Sequence, residues 1–280
     1  MSALSASQPA SVNGEGQTVS GQPGRPADRR RWTLAALSLG LGLGVSLAGC
    51  GGAEIDGLGE DLGPYAERMP WAEFMATAAM DTVQGATDSS ACTTASIRGL
   101  SDQIVAEMNC IRPGLMSNIT SANVSLTSAA ALPYLQGPAA AALRRATTGR
   151  SRLPLNSTLR TVAQQFMLYT WYRTGRCGVG LAAQPGRSNH EDGLAIDTSA
   201  YSSWITILRD NGFRWFGTAD DVHFDYTGGV DAQGVLAFQR LWNANNPGDK
   251  IGADGVYGPQ TEARIKKSPR TGFAGGASCK

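Results

Sequence analysis

Ser188-Asn189-His190-Glu191-Asp192-Gly193-Leu194-Ala195-Ile196-Asp197, followed by Asp220-Asp221-Val222-His223-Phe224-Asp225-Tyr226, holds both histidines of the chain. A neutral imidazole and a carboxylate are good zinc ligands, and two histidines with one carboxylate leave a fourth tetrahedral position for water. His190, Asp197 and His223 are therefore the candidate metal ligands. Ala195 to Thr198 reads as a strand that would hold Asp197 near His190. In His223-Phe224-Asp225-Tyr226 the period of two puts His223 and Asp225 on one face and the two aromatics on the other.

Working outward, Leu153 to Ser157 reads as a strand leading to Arg160. Thr161 to Thr174 is a helix that turns Val162, Phe166, Tyr169 and either Trp171 or Tyr172 inward, with Gly175 as its stop. A loop rich in Gly, Ala and Pro, Arg176 to Asn189, delivers His190. Tyr201 to Asn211 is a helix with Trp204, Ile207 and Leu208 on one face and Gly212 past its end. Phe213 to Phe216 is a further strand. The fold class expected is α+β, a small antiparallel sheet with flanking helices around a zinc site.

His-x6-Asp ending in Gly-x-Ala-x-Asp, with a carboxylate three residues before the second His, resembles the zinc D-Ala-D-Ala carboxypeptidases of the VanY/VanX type, which include L-alanyl-D-glutamate endopeptidases. The similarity runs from about Leu153 to Tyr226, and Ser157-Thr158-Leu159-Arg160 fits the family's Ser-x-x-Arg signature. The resemblance implies Zn2+ on His190, Asp197 and His223. It implies that Asp220 acts as general base and then as acid toward the leaving amine, with Asp221 as the competing carboxylate. Arg160 would face a developing oxyanion or the substrate carboxylate. Ser157 and Ser188 resemble polar residues on the substrate side, or they cap and orient. Glu191 and Asp192 could be solvated loop charges.

Met1 to Asp28 carries no apolar periodicity and reads as disordered. Arg29-Arg30-Arg31, the apolar run from Trp32 to Ala48 and the small-residue site at Leu47-Ala48-Gly49-Cys50 read as a signal peptide. The run is shorter than the approximately 20 apolar residues of a membrane span and is broken by Gly40, Gly42 and Gly44. Leu-Ala-Gly-Cys resembles the bacterial lipobox. Residues 1–49 are thus expected to be a leader and 50–64 a flexible tether behind a lipidated Cys50 that anchors the chain to the membrane. An exported, periplasmic location follows from that, with Gly51 fitting the outer membrane of a double-membraned bacterium.

Residues 65–152 form an accessory region in which no site chemistry is apparent. Trp71 to Val83 and Ile97 to Met108 have helical apolar spacing, the second with Leu100, Ile104, Val105 and Met108 on one face. Asn118 to Leu135 suggests short strands or extended loops, and Pro138 to Ala146 a short Ala-rich helix. Residues 153–227 are the expected peptidase domain. In residues 228–280, Val235 to Trp242 and then Asp254-Gly255-Val256-Tyr257-Gly258-Pro259-Gln260-Thr261 resemble the helical peptidoglycan-binding repeat at its Asp-Gly-x-x-Gly-x-x-Thr turn. The usual first helix is missing or fused into the segment Gly228 to Gly234, so either wall binding or a structural extension follows.

Cys92, Cys110, Cys177 and Cys279 are an even set in an exported chain, which suggests two disulfides with three possible connectivities. Proximity in sequence favours Cys92 with Cys110 and Cys177 with Cys279. A zinc site made of cysteines is not expected, because no Cys-x2-Cys spacing is present. Over 280 residues, 42% hydrophobic and 17% charged content suits a compact protein, and a formal net charge of +1 offers no field for nucleic acid. A monomer is expected. Three classes remain: a zinc peptidase on peptidoglycan stem peptides (D-Ala-D-Ala carboxypeptidase, D,D-endopeptidase or L-Ala-D-Glu endopeptidase), an inactive wall-binding lipoprotein, and a zinc-stabilised structural or signalling domain.

Overall fold

The computed structural model of the protein describes residues 80–279. The leader, the tether, Cys50 and most of the helix expected over Trp71–Val83 lie outside the described residues. In order, the elements are α1 (Val83–Asp88), a 3-10 turn (Thr94–Ile97), α2 (Arg98–Ile111), β1 (Met116–Asn118), β2 (Val124–Leu126), β3 (Tyr134–Gln136) and α3 (Gly137–Thr147). There follow β4 (Leu153–Leu155), α4 (Val162–Thr174), β5 (Ala195–Asp197), α5 (Tyr201–Arg209), β6 (Phe213–Trp215), β7 (His223–Tyr226), α6 (Gly234–Asn245) and α7 (Pro259–Lys267). The mixed α and β content agrees with the expected class.

Local chemistry sets several of these bounds. Thr82 caps α1 through its hydroxyl, so Val83, expected as the last residue of a helix, is instead the first residue of α1. Thr161 and Gln164 form a reciprocal capping box that opens α4, and Gly175 closes it in the left-handed region at φ 64°. Pro138 and Pro259 stand in the first turns of α3 and α7, where a missing N–H costs nothing.

Strands are short and fall into three small sheets: β1 with β3 antiparallel, β2 with β4 parallel, and β5-β7-β6 antiparallel with β7 central. Beyond β4 the chain runs beside β5, where the Asp197 N–H donates to the Ser157 carbonyl at 2.9 Å and the Asn156 N–H to the Asp197 carbonyl at 2.8 Å.

Two apolar cores result. One is helical and buries Leu100, Ile104 and Met108 of α2, Phe166 and Trp171 of α4, Phe238, Leu241 and Trp242 of α6, and Ile265 of α7. In α4 it is Trp171, 1% exposed, that turns inward, while Tyr172 is 37% exposed. The other core packs Leu143 of α3, Trp204 and Leu208 of α5, and Ile196, Phe213 and Phe224 of the three-stranded sheet. All described residues belong to one compact unit. The bounds 65–152, 153–227 and 228–280 do not separate cores: β2 pairs with β4 across the first, and α6 packs with α2 and α4 across the second.

The disulfides join Cys92 to Cys177 and Cys110 to Cys279. The sequence-neighbour pairing is overturned, and contacts between segments far apart in the chain supply the reason. Arg176 donates to the Thr87, Asp88 and Ser89 carbonyls and so brings Cys177 beside the segment that carries Cys92, while the Ser278 N–H on Glu107 brings Cys279 beside Cys110. A disulfide needs Cα atoms within about 7 Å. Among the described residues no helix is long and apolar enough to cross a membrane.

Candidate metal centre

His190, Asp197 and His223 come together between the sheet and the segment that leads into α4. Register does most of this: Asp197 of β5 lies directly opposite His223 of β7, so both side chains leave the same face. Ile196 and Phe224, one step along, point the other way into the core. His190 comes from the preceding loop, whose turn is closed by the Gly193 N–H on the His190 carbonyl at 3.1 Å and the Leu194 N–H on the Asn189 carbonyl at 3.0 Å. Gly193 has φ +63°, and a Cβ there would meet Met116 Sδ at 3.0 Å and the Gln136 backbone nitrogen at 3.2 Å. The Gly of Gly-x-Ala-x-Asp is thus required twice over, by conformation and by space.

Three potential donor atoms face one another. His190 Nε2 is 3.2 Å from Asp197 Oδ1 and 3.2 Å from His223 Nδ1, and His223 Nδ1 is 3.0 Å from the same Asp197 oxygen. The outer nitrogen of each ring fixes its tautomer. His190 Nδ1 lies 2.7 Å from the Thr158 carbonyl, which can only accept, so the proton resides on Nδ1. His223 Nε2 lies 2.8 Å from Asp225 Oδ1 and donates to it. Neutral rings so oriented turn two nitrogen lone pairs and a carboxylate oxygen toward one point, an arrangement that calls for a cation. These three residues could hold a metal ion.

The electrostatics agree. Burial alone would lower the pKa of His223, but the hydrogen bonds and charges of Asp197 and Asp225 outweigh it and raise it to about 9. Burial would raise Asp197, and His190, His223 and Arg160 instead hold it well below the usual carboxylate range. His190, 3% exposed, is lowered by burial. Asp225 is held at about 2 against its burial by hydrogen bonds from His223, Asn189 and Arg214.

The triad opens on a cleft of about 370 Å³ that Arg160, Asp220 and Ser188 also line. Asp220 sits in the turn between β6 and β7, its backbone carbonyl accepting the His223 N–H at 3.2 Å. Burial and the neighbouring Asp197 charge push its pKa up. Asp221 does not line the cleft, and its carboxylate, on the side of Tyr201, raises the pKa of that hydroxyl. Arg160 Nη1 donates to Gln165 Oε1 at 2.9 Å and Nη2 to Ser157 Oγ at 3.1 Å, with Asp197 Oδ2 at 3.6 Å. Ser157 therefore orients the arginine.

Three side chains with no role assigned from sequence are part of the same assembly. Asp225 orients His223 and is itself held by Asn189 Nδ2 at 2.8 Å and Arg214 at 3.3 Å; the period of two along β7 was its signal. Gln165 anchors Arg160 and carries no sequence signal. Glu191 is not a solvated loop charge: it is 5% exposed and accepts the backbone N–H groups of Gly186 at 2.9 Å and Ser188 at 3.2 Å. Burial raises its pKa to about 7. Asp192 accepts the Ala232 N–H at 2.9 Å and fastens the chain leading into α6.

A scan against protein-family models and a search of curated proteins return no match for this chain.

Proposed function

We propose that the protein is a zinc-dependent peptidase, of the D-Ala-D-Ala carboxypeptidase type that its motifs resemble, hydrolysing peptidoglycan stem peptides. The observation that carries this reading is the convergence of His190 Nε2, His223 Nδ1 and Asp197 Oδ1 on a cleft that also holds Asp220 and Arg160. Tetrahedral zinc with bonds of about 2.0–2.2 Å would have ligand-to-ligand edges of roughly 3.3–3.6 Å. The observed edges of 3.0 to 3.2 Å are a few tenths of an ångström shorter, so a small opening of the three side chains would accommodate the ion. The Thr158 carbonyl and Asp225 carboxylate that hold the two rings are the partners ligating histidines need.

When bound, zinc supplies Lewis acidity, polarising the scissile carbonyl and bringing the pKa of a water to about 7. The protein's own residues do the rest. Asp220 takes a proton from the attacking water and returns it to the leaving amine. Arg160, held by Gln165 and Ser157, has more N–H donors than those two bonds use, and offers them to the oxygen on which charge develops. In this reading the lipidated Cys50 holds the chain at the cell envelope and the turn at Asp254 to Thr261 assists contact with the wall.

The test is digestion of purified sacculi, with the fragments identified by mass spectrometry beside a zinc determination. Release of terminal D-Ala supports the carboxypeptidase form, and cleavage elsewhere in the stem supports an endopeptidase. Intact sacculi with a zinc-loaded protein would sink the reading.

A further inference from the structure

The same cleft carries a second arginine that the proposed chemistry does not use. Arg187 lines the cleft and also lines a neighbouring polar cavity of about 280 Å³ on which Asp192, Gln233 and Gly255 border. Arg160, by contrast, is held by Gln165 and Ser157 beside Asp197 and is the arginine that the proposed chemistry uses. Among the described residues the Arg187 guanidinium has no hydrogen-bond or ion-pair partner.

Its backbone, however, is fixed on every side. The Gly186 and Ser188 N–H groups both donate to the buried Glu191 carboxylate, at 2.9 and 3.2 Å, and the Arg187 N–H donates to the Gln184 carbonyl at 3.1 Å. Gln165 Nε2 holds the Ala183 carbonyl at 2.7 Å, and Cys177 ties the start of the loop to Cys92. A free cation carried on a clamped stretch of backbone, lining the same cleft as the candidate metal ligands, is suited to receive an anion without the loop having to order itself first.

The surroundings narrow the anion. Leu181 and Phe216 are 62% and 51% exposed on the same cleft, and Phe216 packs edge-on against the His223 ring with centroids 5.5 Å apart. A ligand that satisfies both sides carries small apolar side chains and a planar oxyanion, for which a guanidinium offers two parallel N–H donors. We propose that Arg187 is a specificity-determining residue that binds a carboxylate of the substrate peptide. This rests on the peptidase reading and names what the substrate must carry. A stem peptide offers two such groups, the C-terminal carboxylate and the α-carboxylate of a γ-linked D-Glu.

The experiment uses the full, zinc-loaded chain and L-Ala-γ-D-Glu-L-Lys-D-Ala-D-Ala, the same peptide with its C-terminus amidated, and the same peptide with the D-Glu α-carboxylate amidated. In the wild type, one of the two amidations should raise KM by about tenfold, the worth of a charge-assisted contact. Arg187→Gln should raise KM for the unmodified peptide by a similar factor, leave kcat within about twofold and become indifferent to that amidation. Arg187→Lys should keep part of the discrimination. An Arg187→Gln protein with unaltered KM and unaltered preference overturns the inference. If the wild type cleaves none of the three, the peptidase reading fails, and calorimetric affinities of the same peptides decide the role of Arg187 separately. One amide binding more weakly, a difference erased by Arg187→Gln, supports it; equal binding of all three overturns it.

Discussion

At the scale of single residues, His223 is placed between two carboxylates, Asp197 on Nδ1 and Asp225 on Nε2. The pair raises its pKa to about 9, so without metal the ring is charged below that pH. A metal must displace this proton. Apparent metal affinity should therefore weaken by about tenfold per unit as pH falls from 9, until another ligand begins to titrate. Competition against a chromophoric chelator at several pH values measures it, and a flat profile would contradict it. The site residues should also separate by function. His223→Ala should lose the metal and the activity together. Asp220→Ala should retain the metal while turnover falls by roughly 10²–10⁴, the contribution of general acid-base catalysis; a near-normal rate would remove Asp220 from the mechanism. Asp225→Ala removes none of the three metal ligands, and should lower metal affinity by about 10–100-fold through the unanchored ring. Metal analysis beside a stem-peptide assay distinguishes the three.

At the scale of elements, the turn from His190 to Asp197 and the strand pair β5 and β7 convert two separated motifs into one site. Gly193 is the pivot. An alanine there would incur the left-handed penalty of about 1–2 kcal/mol and push its Cβ against Met116 and the Gln136 backbone, 3.0 and 3.2 Å away. Gly193→Ala should thus cost about 2 kcal/mol or more and lower the melting temperature by roughly 4–8 °C. Thermal melts measure it, and an unchanged midpoint would show that the turn can relax. In the C-terminal pair of helices, the Asp-Gly-x-x-Gly-x-x-Thr turn is held by one side chain. Gln239 of α6, 1% exposed, donates to Asp254 Oδ1 at 3.0 Å, the Val256 carbonyl and Thr261 Oγ1 at 3.1 Å each, and accepts the Gly255 N–H at 2.8 Å. Asp254 and Thr261 thus serve the turn itself, and their presence is an observation about fold.

At the scale of the whole molecule, the C-terminal segment is built into the helical core. Phe238, Leu241, Trp242 and Ile265 are all under 5% exposed against residues of α2 and α4. Glu107 of α2, fully buried, pairs with Arg240 at 2.9 Å and accepts the Ser278 N–H at 2.8 Å, beside the bond from Cys110 to Cys279. Losing large core side chains costs roughly 2–5 kcal/mol each, against about 5–15 kcal/mol for a whole domain. Removal of residues 228–280 should therefore abolish folding rather than merely weaken wall binding. A truncated protein with cooperative melting and intact hydrolysis would refute this. Contact with the wall is better tested by substituting exposed side chains such as Val256, 65% exposed, and measuring sacculus pull-down.

What the sequence alone determined was what short-range spacing encodes. Helical apolar spacing gave α2, α4 and α5, period two gave the face of β7, and the rarity of histidine brought His190, Asp197 and His223 into one candidate set. These rest on periodicities that a linear pattern records directly. The tertiary structure decided what depends on residues far apart in the chain. It turned Asp220 rather than Asp221 to the cleft, with Asp221 on the side of Tyr201 of α5. It buried Glu191, because Gly186 and Ser188 fold back to donate to it. It paired Cys92 with Cys177 and Cys110 with Cys279, because Arg176 binds the carbonyls of Thr87 to Ser89 and Ser278 binds Glu107. Loop closure grows only slowly more costly with length, so long-range partners are chosen by where rigid elements pack and not by distance along the chain.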